Sequence, residues 1–75
     1  MTLKYTFATK AGIVAIVPRA ERFHVMFANE DLGSYATAQQ AAEDAAGGHT
    51  FAPSTGVDLG KLDLPSDVSE WDRTA

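Results

Sequence analysis

The sequence predicts a small α+β domain: a three- to four-stranded antiparallel β-meander, one short alanine-faced helix packed on one face, and a C-terminal helical turn. Two patterns carry this. Leu3–Phe7 and Phe23–Phe27 alternate apolar and polar residues at period two, as half-buried strands do. Ala38, Ala41, Ala42 and Ala45 recur at i, i+3, i+4 and i+7, which is one face of a helix. Seventy-five residues leave room for one domain, 1–75. Within it, 1–48 reads as a ββββα core and 49–75 as a loop-rich C-terminal segment with a short helix.

In the first strand Leu3, Tyr5 and Phe7 point one way and Lys4 and Thr6 the other. Thr9-Lys10-Ala11-Gly12 reads as a turn, with Gly12 free to take positive φ. Ile13-Val14-Ala15-Ile16-Val17 is an unbroken, largely β-branched apolar run, the mark of a central strand covered on both faces. Pro18 ends it and Arg19-Ala20-Glu21 connects onward. Phe23, Val25 and Phe27 then oppose His24, Met26 and Ala28 on a third strand. Asn29-Glu30-Asp31 supplies turn chemistry, and Leu32-Gly33-Ser34-Tyr35 offers a fourth strand in which Gly33 marks a bulge or a close backbone approach.

Thr37 is an N-cap with Gln40 three residues on, and Gly47-Gly48 ends the helix. Gln39, Glu43 and Asp44 fall outside the alanine stripe and are expected to meet water. Between 49 and 63, turn residues interrupt any period, yet Phe51, Val57, Leu59, Leu62 and Leu64 are too many apolar groups for a solvated linker. That segment is expected to lie across the core in extended form, with room for one more strand. Pro65-Ser66-Asp67 opens a last helical turn with Val68 and Trp71 inward, after which Asp72–Ala75 fray. Trp71 has two readings, a core plug or an anchor for a partner.

Apolar content of 45% with 21% charged residues is the composition of a folded chain rather than a disordered one. Cysteine is absent, which excludes disulfides and thiolate metal sites and fits a reducing, cytoplasmic setting. The longest apolar run, five residues, is far too short for a membrane span. Neither a cofactor nor a metal is implied. Glycines lack phosphate-loop spacing, no serine stands in a nucleophile elbow, and His24 and His49 lie far apart. His49, just past the helix, suits a capping role. The chain therefore reads as a non-enzyme.

Charge is segregated. Residues 1–28 hold Lys4, Lys10, Arg19 and Arg22 against Glu21, a balance of +3; residues 29–75 hold Lys61 and Arg73 against nine acids, a balance of −7. Either the halves neutralise each other or Lys4, Lys10, Arg19, Arg22 and His24 form an anion- or nucleic-acid-binding surface. The net charge of −4 weighs against the second.

The ordered string Tyr5–Phe7, Gly12–Ile16, Phe23–Phe27, Leu32-Gly33-Ser34-Tyr35, Ala41-Ala42 and Leu64-Pro65…Trp71 resembles a group of short bacterial proteins of unknown function. They share a Leu-Gly-Ser-Tyr stretch, an alanine-rich helix and a Pro-x-x-Val-x-x-Trp close. The resemblance implies a fold and no activity. Two functional classes stay open: a non-catalytic protein–protein interaction or oligomerisation module, including a homodimer, and a nucleic-acid or anion-binding basic sheet.

Overall fold

The computed structural model describes residues 4–74, so Leu3 and Ala75 lie outside it. Four strands follow one another, β1 (Lys4–Thr9), β2 (Gly12–Arg19), β3 (Arg22–Phe27) and β4 (Glu30–Tyr35), then helix α1 (Ala38–Gly47). Single 3₁₀ turns form at Leu59–Lys61 and Val68–Glu70, and β5 (Asp72–Thr74) closes the described chain. The sheet is antiparallel throughout, in the order β4-β3-β2-β1-β5. It thus has one strand more than expected. Of the residues expected to fray, Asp72–Thr74 instead pair with β1, Thr6 opposite Asp72 and Lys4 opposite Thr74, and Ala75 lies outside the described residues.

Three tight turns set the meander. Thr9 closes the first, its Oγ1 accepting from the Ala11 amide at 3.1 Å and donating to the Gly12 carbonyl at 2.6 Å. The other two are two-residue hairpins with both central residues at positive φ: Ala20 (52°) and Glu21 (64°), then Ala28 (52°) and Asn29 (65°). The second falls one residue earlier than the Asn29-Glu30-Asp31 turn read from the sequence, and Glu30 already belongs to β4. Positive φ at both positions matches the right-handed twist of the flanking strands. Asn29 tolerates that conformation, whereas Ala20, Glu21 and Ala28 hold it against their own Cβ atoms.

In β4 the pairing passes from His24–Ser34 to Met26–Asp31, so Leu32 and Gly33 together face one β3 residue. Gly33 sits at the bulge with φ 143°, as its place in the strand suggested.

Paired residues in an antiparallel ladder share a face. Val14 therefore lies between Phe7 and Phe27, and Ile16 between Tyr5 and Val25. Val14, Ile16 and Val25 are fully buried, and so are Ala41, Ala42 and Ala45 of the helix laid over them. Thr37 caps α1 by accepting from the Gln40 amide at 3.1 Å. Gly48, at φ 73°, turns the chain so that its own amide and that of His49 bond back to Ala45 and Asp44. A side chain at Gly48 would meet Gly60 Cα at 3.1 Å, and this close approach docks the Leu59–Lys61 turn against the helix end.

Leu59, Leu62 and Leu64 complete the core with Trp71. The segment 49–63 contributes no strand. It touches the sheet where the Phe51 amide donates to the Leu32 carbonyl at 2.9 Å, and the Phe51 ring stays 76% exposed. Gln39 does not simply face water. Its side chain donates to the Ser66 carbonyl and accepts from the Val68 amide, tying the C-terminal segment to α1. Asp44 likewise lies beside the Tyr35 phenol, which burial and that carboxylate push up to about 12.

Trp71 is the plug. It is 3% exposed, its ring tilts against Phe7 at 5.8 Å, and its Nε1 donates to the Pro65 carbonyl at 2.9 Å. A partner anchor needs an exposed ring, which the buried Trp71 does not offer.

Ala41→Leu or Ala42→Leu overpacks the helix–sheet contact and is expected to cost about 1–3 kcal/mol in urea unfolding. An unchanged midpoint would contradict the close approach. Glu21→Gly relieves one strained turn residue and should stabilise by roughly 0.5–1 kcal/mol, net of the entropy glycine adds to the unfolded chain; a lowered midpoint would contradict the strain.

Candidate functional site

Helix α1 covers one face of the sheet, and no described element covers the other. The run Ile13–Val17, expected to be covered on both faces, is covered on one: Val14 and Ile16 are buried, while Ile13 is 62% exposed and Ala15 and Val17 are half-buried. The physical reason is supply. The single α-helix and the C-terminal leucines all pack on the inner face.

Strand alternation builds the open face residue by residue. The register runs a row across it, Asp72–Thr6–Ala15–Met26–Asp31. Along β2 the same face carries Ile13, Ala15, Val17 and Arg19, and along β3 it carries Arg22, His24 and Met26. Apolar groups fill the centre. An open hollow of ≈ 370 Å³ lies at the end of the sheet between the β1–β2 and β3–β4 turns, with Ile13, Ala15 and Met26 of this face and Phe27 and Asn29 among its lining.

Four of the five basic candidates meet at the opposite end. Arg19 and Arg22 face each other across the ladder, His24 lies opposite Val17, and Lys4 follows one step beyond the Tyr5–Ile16 pair. Lys10 is separated from them, in the β1–β2 turn at the far end. The cluster is not purely cationic. His24 Nδ1 donates to Asp31 Oδ2 at 2.7 Å, and Asp31 Oδ1 accepts from the Gly33 amide at 3.0 Å. Arg22 is engaged as well, Nε donating to Ser34 Oγ at 3.1 Å and Nη2 to the Ser34 carbonyl at 3.2 Å.

The His24–Asp31 pair was not visible in the sequence. The two residues are seven apart, and only a two-residue turn followed by a bulge brings them together. With Ser34 opposite His24, the three residue types of a hydrolytic triad share one face. The Ser34 hydroxyl is held by Arg22 instead, and the group lies on an open sheet without the enclosing walls a substrate site has. Among the described residues no group of three His, Cys, Asp or Glu side chains is placed to hold a metal ion. Nor is any described helix long and apolar enough to cross a membrane.

His49 is exposed, its backbone amide completing the helix cap and its ring lying over Gly47, where a Cβ would stand 3.3 Å from Cε1. Comparison with protein-family models, curated proteins and solved structures gives no match to the chain.

Partial burial pushes the Asp31 carboxyl up, but the Gly33 amide, His24 and the charge of Arg19 outweigh it and hold the group below the usual carboxylate range. A lowered folded value contributes stability that is present above about pH 4 and is lost as pH falls through that folded value. Asp31→Asn should therefore flatten the loss of stability on acidification below about pH 4. Asp67, held low by its bond from the exposed Ser69 amide, leaves some slope behind. Thermal melts of both proteins between about pH 2 and 5 check this; parallel curves would contradict it.

Proposed function

We propose that the chain is a small, non-catalytic protein–protein interaction or oligomerisation module working through the sheet face opposite α1, in a cytoplasmic setting. One observation carries the reading. An antiparallel sheet with a solvated face normally alternates apolar-in with polar-out, yet the outward residues at the centre here are Ile13, Ala15, Val17 and Met26. Ile13 is exposed and the other three are half-buried, and a contiguous apolar patch of that kind is characteristic of interaction sites. Surface that stays wet gains nothing from such a composition. Surface that is covered gains about 25 cal/mol for each Å² removed from water.

A second reading, anion or nucleic-acid binding, is favoured by the clustering of Lys4, Arg19, Arg22 and His24 at one end of the same face. It is the weaker one. Asp31 stands inside the cluster, Ser34 occupies Arg22, and the chain carries a net charge of −4.

A photo-crosslinking residue at position 26, compared with the same residue at the exposed helix position 43, separates these readings inside cells. Protein adducts at position 26 and none at 43 are expected. Nucleic-acid adducts at position 26 would install the second reading, and an absence of adducts there would overturn the first.

A further inference from the structure

We infer that the occupant of the open face is a second copy of this chain, the two sheets stacked face to face with their strands crossed near a right angle. The inference rests on the interaction reading above and names its partner.

Size comes first. The face is five strands wide, and its longest strand has eight residues. Its other strands run six residues in β1, β3 and β4 and three in β5, so at about 4.8 Å between strands and about 3.3 Å per residue it covers about 460 Å². A pair of copies would cover about 900 Å² with the strands alone, close to the roughly 1,000 Å² a specific interface has to clear. The apolar centre, Ile13, Ala15, Val17 and Met26, supplies the dry part of such a contact, and the charged residues stand around it as a rim.

Charge then selects both the partner and the angle. The face carries both signs: a basic end at Arg19 and Arg22, and two acidic lateral edges, Asp31 on β4 and Asp72 on β5. A surface with this pattern is complementary to itself, provided it is turned. A two-fold axis along the strands would set the Arg19 end against its own copy. An axis across them would oppose Asp31 to Asp31 and Asp72 to Asp72. A diagonal axis swaps the strand direction for the lateral one, so that the basic end of each copy lies over an acidic edge of the other.

Sheets do pack at near right angles. Asp31 is already bonded by His24 within its own chain. Asp72 is therefore the edge that receives the Arg19 of the second copy, Arg22 being held by Ser34 of its own chain, reciprocally in both directions as a two-fold contact requires. Lys4, near that axis, carries its ammonium out of the contact on its flexible stem.

Sedimentation of the wild-type chain across micromolar to submillimolar concentration reads this directly. The expected result is a species of twice 8.0 kDa. Met26→Glu should reduce it to the monomer with an unchanged circular-dichroism melt, and Phe51→Ser, off the face, should leave it dimeric. Arg19→Glu should weaken the dimer at least tenfold, and adding Asp72→Arg to the same chain should recover most of the loss. A monomer at every concentration, or a dimer untouched by Met26→Glu, overturns the inference. Arg19→Glu without rescue overturns the crossed arrangement. A monomer that still gives adducts to another protein at position 26 removes self-association alone. A monomer with none removes the interaction reading as well.

Discussion

Ala41, Ala42 and Ala45 press against Val14, Ile16 and Val25 with no exposed surface on either side, and the rest of the fold depends on that contact. Alanine lets the helix come close. Closeness leaves no room for other material between helix and sheet, so the remaining large apolar groups of the C-terminal segment gather at the margins of the contact. Leu59 and Leu62 seat near the end of α1, beside the Gly48–Gly60 approach, and the tail turns back under Gln39 to bring in Trp71. Among the described residues, everything that covers the sheet goes to one side of it.

The consequence for function is an asymmetry of the sheet itself. Strand β2 is the middle of five and is apolar on both faces, yet covering is available for one. A chain of this size can bury only about 60–65% of its unfolded surface, by interpolation of the usual scaling, and commonly looks outside itself for further stability. Lacking cysteine, this one cannot draw on disulfides. The proposed association through the open face would meet both needs, covering Ile13, Ala15, Val17 and Met26 and adding a second layer.

Local signals in the sequence reached as far as local physics does. The Thr37 cap, the alanine stripe and the Gly48 stop are interactions within a few residues, and each reappears in the helix. Gly33 declared its bulge because only glycine sits easily at φ 143°. Strand β5 did not declare itself, since Asp-Arg-Thr has no strand pattern. Its place follows from Trp71, whose burial beside Phe7 delivers the next three residues to the edge of β1. The connection at Arg19-Ala20-Glu21 was legible, but its two-residue form was not, because Ala20-Glu21 lacks the glycine or asparagine that announces such a turn. Of the open face, alternation alone placed Lys4, His24 and Met26 outward. The pairing of His24 with Asp31, the separation of Lys10 from the other cations and the lack of cover over Ile13 needed the register and the whole chain.

The central claim is that the outward face of β2 and β3 is covered in the working protein. A soluble paramagnetic agent added to the labelled chain at near-millimolar concentration measures that cover residue by residue through the loss of side-chain and amide signal. Attenuation at Ile13, Ala15, Val17 and Met26 as weak as at buried Val14 and Ile16, with Phe51 strongly attenuated, is the predicted result. Attenuation at those four residues as strong as at Phe51 would show a face open to water and contradict the account.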